Sequence, residues 1–252
     1  MSKKILLIGE SCLDVFVYGS CSRLCPDVPA QILDETHIAE NGGMAMNVCN
    51  NIESLGGAVD IITNENWKEI RKTRICDESS NYVFCRWDSK ANIQRIQGLG
   101  IIDFRKYDIC AISDYNKGYL LPEDIQYLSR QIPVFLDTKK RLTAEFERCA
   151  YIKVNNNEYR ASKEFITPKL ESKIIETLGP RGCRFGDKIF PVHELEVRSV
   201  SGAGDSFFAG LLVKYVETGD IEESIKFANR VSSIVITKKG VSTVSLEELN
   251  ET

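Results

Sequence analysis

Histidine, zinc-type cysteine spacing, long apolar runs and a strong charge of one sign are all missing or scarce in this sequence. There are two histidines, His37 and His193, and the nine cysteines contain no C-x-x-C pair, so zinc-ligand spacing is absent. No apolar run approaches the ~20 residues needed to cross a bilayer, so no membrane partner is expected. Met1-Ser2-Lys3-Lys4 leads directly into Ile5-Leu6-Leu7-Ile8, too short for a secretory signal, which makes reduced thiols in a cytoplasmic protein the expectation. A net charge of −4 offers no global attraction for nucleic acid, although local basic clusters can still bind phosphates. There is no internal repeat and no low-complexity linker. With 252 residues the chain can bury one substantial core with at most a small appendage.

What the sequence does have is the stretch Ser201-Gly202-Ala203-Gly204-Asp205-Ser206-Phe207-Phe208-Ala209-Gly210. Two glycines and an alanine leave backbone N–H groups uncovered where a helix is expected to begin. Phe207, Phe208, Leu211, Leu212, Val213 and Val216 then make that helix apolar around most of its circumference, so it is buried and its start is held rigidly. Free N–H groups at a rigid helix start suit an anion, phosphate above all. Asp205 would repel such a ligand unless it has a task, and the natural task is to take a proton from a hydroxyl that attacks the phosphate. A Gly-rich turn with an Asp used only for capping is the competing reading.

Taken in order, Ile5–Gly9 reads as a buried parallel strand, with Glu10 and Asp14 beyond its end, where ligands sit in open α/β sheets. Asp14 fits either a sugar hydroxyl partner or a turn residue. From Phe16 to about Ile38 the chain reads as extended, and Pro26 and Pro29 exclude helix interior. Gly42-Gly43 precedes a helix with Val48, Ile52 and Leu55 on one face and Gly56 as its stop. Val59–Thr63 reads as a strand, and Arg74–Cys76 with Tyr82–Trp87 as a hairpin. Strand candidates 107–113, 134–137, 151–154 and 174–178 alternate with helical or polar segments, which argues a mostly parallel sheet with covering helices. Polar residues follow each of these strands: Asp114 and Lys117, Asp137 and Lys139, Asn155 and Glu158, Gly179 and Gly182. Converging strand ends would make a crevice for a charged ligand. Phe185–Phe190 reads as a hairpin and Ile221–Lys238 as a second late helix.

These pieces together resemble the ribokinase-like (PfkB-type) carbohydrate kinases. The resemblance rests on Gly42-Gly43 with Asn47, on Asn155-Asn156-Asn157-Glu158 as N-x-x-E, on Thr177-Leu178-Gly179-Pro180-Arg181-Gly182 as T-x-G-x-x-G, and on Gly202–Asp205, in that order. Within that family the stretches Leu13–Pro29, Ile112–Gly118, Asp137–Lys139 and Lys238–Ser245 are similar to motifs of the heptose-7-phosphate kinases, and only to their kinase part. The resemblance implies a single α/β domain over 1–252: a ribokinase-like three-layer sandwich with a mostly parallel central sheet and a small β-lid from about 14–40 and 74–88, often a dimer interface. There are three departures. Val59–Arg74 is short by about a strand–helix–strand unit. Ser199-Val200-Ser201 replaces a D-[TV]-[TS] whose Asp is linked to monovalent cations. The turn from Gly43 to Asn47 is one residue longer than in the heptose kinases.

The roles that follow from the resemblance are transfer of the ATP γ-phosphoryl group to a sugar hydroxyl, with Asp205 as general base. Gly202, Ala203 and Gly204 would offer N–H groups to the phosphoryl oxygens. Glu158, with Asn155, would hold Mg²⁺ largely through water. Thr177, Gly179 and Gly182 would line the nucleotide side, and Asn229 the adenine pocket. Asp14, Gly42, Gly43, Asn47 and Asp114 would hold the sugar. Arg23, Arg86, Lys117 and Lys139 are the candidate partners of a phosphate already on the substrate. A kinase of another sugar or nucleoside, and a catalytically silent sugar-phosphate-binding homologue, are the alternatives.

Overall fold

The computed structural model describes residues 3–90, 92–192 and 197–251; His193 lies outside them. Strand β1 (Lys4–Gly9) shows why its run is continuously apolar. Ile5 and Leu7 enter one core, while Leu6 and Ile8 enter a second core on the opposite face. Side chains alternate across a strand, so only a sheet covered on both sides needs apolar residues at every position. β7 (Ile109–Asp114) repeats the division, with Ile109 and Ala111 on one side and Cys110 and Ile112 on the other.

The main sheet is completed by β4 (Ala58–Ile62), β8 (Val134–Thr138), β9 (Tyr151–Asn155), β10 (Ile174–Thr177), β11 (Cys183–Phe185) and β12 (Lys188–Phe190). Its order is β12-β11-β10-β9-β8-β7-β1-β4, parallel from β10 to β4 and antiparallel at β11 and β12. Helices α1 (Ala45–Ser54), α5 (Ala203–Thr218) and α6 (Ile221–Val235) supply one covering layer, and α2 (Pro122–Gln131) covers the other face. Short helices α3 (Asn156–Ser162), α4 (Pro168–Glu171) and α7 (Leu246–Glu251) complete the set. The expected α/β sandwich with a mostly parallel sheet is what the chain forms. From β1 it runs outward to β4, the last strand on that side, and then back to β7. The strand order therefore reverses between β1 and β7, where open α/β sheets bind ligands at the strands' carboxyl ends.

A second sheet stands at that end: β2 (Ser11–Leu24), β3 (Gln31–Met44), β5 (Arg71–Asp77) and β6 (Val83–Asp88), in the order β3-β2-β5-β6. It is wider than the sequence suggested, and its two hairpins are joined by a parallel β2–β5 pairing. Register sets its chemistry. Asp14, Lys72 and Asp88 share one row and Phe16, Arg74 and Arg86 the next, so residues two apart on each strand project from the same face. That face looks onto the strand ends of the main sheet.

Candidate active site

Gly202 caps α5 with φ 82°, a left-handed conformation that a glycine adopts without strain. Ala203 and Gly204 are the first helical residues and Asp205 the third. Phe207, Phe208, Leu211 and Leu212 bury the helix behind them, so the turn is fixed. Asp205 is itself buried, 9% exposed. Its Oδ2 accepts a hydrogen bond from Asn47 Nδ2 on α1 at 2.7 Å, and its Oδ1 accepts one from the Tyr115 hydroxyl beyond β7 at 2.9 Å. Burial pushes the Asp205 carboxyl above its ordinary pKa and Asp137 adds to this, while the Asn47 and Tyr115 donors and the Lys153 ammonium pull the other way. A fixed carboxylate with raised proton affinity is suited to receiving a proton from a hydroxyl.

Asp205 stands where two cavities meet, and Tyr115, Lys139 and Gly202 are shared by both. The first, about 500 Å³, is lined by Gly204 at the α5 start, by Asn155, and by Thr177, Leu178 and Gly179 beyond β10. The second, about 460 Å³, lies under the small sheet. Lys72, Arg74, Arg86, Lys117 and Lys139 face it against Asp14, Asp88 and Asp205, five cations to three carboxylates, so its net charge is positive. Several of the cations are already paired: Arg74 with Asp14 at 2.9 Å, and Arg86 with Asp88 at 2.8 Å. Gly43 is required here, since a Cβ on it would lie 2.4 Å from Asp14 Oδ2.

In the wall of the first cavity the ammonium of Lys153 meets Asp137 Oδ2 at 2.7 Å, with side chains 4% and 6% exposed. Asp137 Oδ1 is buried without a hydrogen-bond partner. An orphaned carboxylate oxygen beside Asn155 fits a hydrated divalent cation, because Mg²⁺ takes oxygen ligands and keeps several waters. Among the described residues no group of three or more His, Cys, Asp or Glu side chains could cage a metal, so phosphate and water oxygens would complete such a site. Glu158 is placed differently from the expectation. Its Oε2 accepts from Asn155 N at 2.8 Å while Asn155 Oδ1 accepts from Glu158 N at 3.0 Å, a capping box that starts α3. Its Oε1 pairs with Lys139, and it does not line the cavity.

Of the residues picked out from the sequence, Asp14, Asn47, Arg86, Lys117, Lys139, Asn155, Thr177, Gly179, Gly202, Gly204 and Asp205 come together around the two cavities. Asn47 lines the second cavity, with its amide on the carboxylate of Asp205. The others do not line these cavities. Arg23 is exposed on the small sheet, 3.5 Å from Asp34. Asp114 is buried beneath the site, bound to Lys140 at 2.7 Å and to the Thr138 hydroxyl. Gly182 serves the chain path, since a Cβ there would meet the Phe190 carbonyl at 2.0 Å. Ala203, expected to offer its N–H to a phosphate, instead donates it to Val200 O at 3.3 Å, and Gly42 backs onto Met46. Asn229 Nδ2 donates to Phe190 O at 2.9 Å and faces a separate cavity of about 750 Å³ between β12 and α6. Sequence reasoning gave no role to Tyr115, Lys153, Lys72 or Arg74. The alternation of Lys72 and Arg74 on a strand was the one available signal, and without the register it reads as a solvated face.

Residues 131–249 match the family model described as pfkB family carbohydrate kinase. The "Bifunctional protein HldE" of Sulfurimonas denitrificans is 29% identical over 98% of this chain, which spans 64% of that relative's length. A ribokinase from Thermotoga maritima superposes with a TM-score of 0.73 at 15% identity, covering 98% of each chain. A ribokinase from Cryptococcus neoformans in complex with ADP superposes at 0.67 with 15% identity over 99% of each chain. These two likenesses show a ribokinase-like fold. No helix of the described residues is long and apolar enough to cross a membrane.

Proposed function

We propose that this chain transfers the γ-phosphoryl group of ATP to a hydroxyl of a sugar phosphate, with a heptose 7-phosphate as the first candidate. The observation that carries this reading is the position of Asp205 at the junction of a cavity walled by a helix start and strand-end glycines and a cavity of net positive charge. Asp205 takes the proton of the attacking hydroxyl. The N–H groups of Gly202 and Gly204 face the charge on the transferred phosphoryl group, while that of Ala203 is given to Val200 O. Thr177 and Gly179 line the phosphate path, and the cavity beside Asn229 takes the adenine. Asp137 and Asn155 would hold Mg²⁺ together with water; when bound, the ion neutralises charge on the phosphates.

On the acceptor side Asp14 hydrogen-bonds sugar hydroxyls. Lys72, Arg86 and Lys117 meet the substrate's own phosphate, since charge-assisted contacts of this kind are the strong ones. The resemblance to HldE supports a heptose. The excess of cations supports a phosphorylated acceptor over a free pentose. ATP consumption measured across heptose phosphates, hexose phosphates and free pentoses tests the reading. Turnover with a heptose 7-phosphate, abolished by Asp205→Asn with nucleotide binding kept, is the expected result. A preference for a free sugar would move the assignment to another kinase of the class, and no turnover with any acceptor would leave a binding protein. We further propose a cytoplasmic homodimer through the small sheet, which exposes Leu24, Ile38, Val83 and Trp87; light scattering decides the oligomeric state.

A further inference from the structure

Both hydrogen-bond donors to Asp205 trace back to one residue. Glu10, fully buried just beyond β1, accepts from Tyr115 N at 2.8 Å with Oε2 and from Lys117 N at 2.8 Å with Oε1. Its own carbonyl accepts from Ala45 N at 2.9 Å, at the first turn of α1, which carries Asn47. The loop it clamps is kinked, with Asn116 at φ 57°, and would not hold this shape unaided. Tyr115 is held from the sides as well: its ring lies 5.0 Å from Lys72 Nζ and 5.6 Å from Lys139 Nζ.

We propose that Tyr115 is a positioning residue for Asp205 and that Glu10 is the anchor that holds Tyr115 in place. The hydroxyl of Tyr115 fixes the Oδ1 side of the carboxylate while Asn47 fixes the Oδ2 side, leaving the remaining lone pairs to face the cavities. Tyr115 acts as a donor at every working pH, because burial and the Asp205 and Asp137 carboxylates push its pKa far above the usual phenol range. The charged groups around Asp205 are Asp137 and Lys139 on and beyond β8 and Lys153 on β9; Glu10 is faced by Asp114. None of them replaces the Tyr115 bond.

The significance for catalysis rests on Asp205 being the base, but the test separates the two. The side-chain carboxyl carbon of Asp205, identified by its loss in Asp205→Asn, is titrated by ¹³C NMR in the wild type and in Tyr115→Phe. A hydrogen bond to a carboxylate favours its charged form by roughly tenfold or more, so Tyr115→Phe is expected to raise the midpoint by about one pH unit. The acid limb of the kcat profile should move with it, with KM for ATP unchanged. Glu10→Gln should shift the midpoint in the same direction, and Glu10→Gln/Tyr115→Phe should shift it no further than Tyr115→Phe alone. An unmoved midpoint in Tyr115→Phe overturns the positioning role, and additive shifts overturn the Glu10 anchor. Retained turnover in Asp205→Asn overturns the base assignment instead, and the titration still decides whether Tyr115 holds Asp205.

Discussion

Replacing Lys153 by methionine should damage stability and activity together, and the two losses should come apart in a double variant. Lys153 and Asp137 are both almost fully enclosed, 2.7 Å apart, and Asp137 Oδ1 already has no partner. Lys153→Met keeps the volume and removes the charge, so a carboxylate is left buried with both oxygens unsatisfied. Breaking one side of such a pair costs about 3–5 kcal/mol. For a chain of this length that is a fall in Tm of about 10 °C. Lys153→Met/Asp137→Leu removes the stranded charge and should recover most of the loss, because an apolar pair of similar volume is often neutral or better. Phosphoryl transfer should stay lost in both variants, since both residues line the first cavity. Urea unfolding at pH 7 by linear extrapolation, with an ATP-consumption assay on the same preparations, measures both quantities. A single variant within about 1 kcal/mol of wild type, or a double variant no more stable than the single, would refute the reasoning.

Other outcomes follow from the same geometry. Asp205 is an acid whose folded pKa is raised, so the folded state binds more protons than the unfolded one between the ordinary carboxylate value and the raised one, and stability falls as pH rises through that window. Asp205→Asn should therefore melt above wild type at pH 7, with the difference shrinking as pH falls; an advantage that grows toward acid would contradict this. Gly43→Ala places a methyl 2.4 Å from Asp14 Oδ2 and should raise KM for the acceptor about tenfold or more, leaving KM for ATP unchanged in initial-rate kinetics. Arg86→Met should weaken a phosphorylated acceptor by about 10- to 100-fold, the value of one charge-assisted hydrogen bond, with little effect on the unphosphorylated sugar. Equal losses for both acceptors would remove Arg86 from the phosphate site.

Much of the architecture was legible because it follows from local rules. A short continuous apolar run such as Ile5–Ile8, closed by Gly9, fits a strand buried on both faces, and the glycines at 202 and 204 fit a helix start ahead of the apolar run Phe207–Val216. The ends of strands were legible too, which is why Asn155, Thr177, Gly179 and Lys139 were found. Errors gathered where one residue type has two uses. The N-x-x-E pair could mark a metal site or a capping box, and the hydrogen bonds Asn155–Glu158 make it a capping box in this structure. Asp114 and Asp137 both lie at the carboxyl ends of parallel strands, yet one is tied to Lys140 below the site and the other opens into it.

By itself, the sequence determined the strand–helix alternation, the acidic residue at the start of α5 and the order of the motifs, because each is a matter of periodicity or spacing within about one element. Only the tertiary structure decided what surrounds the acid. Asn47 and Tyr115 reach Asp205 from 158 and 90 residues away, and Glu10 aligns both through bonds to two further elements. Such contacts depend on sheet order and on the register of β2, β5 and β6. A shift of one residue in that register would turn Lys72 and Arg74 away from the cavity, and no local preference of the chain records which register is adopted.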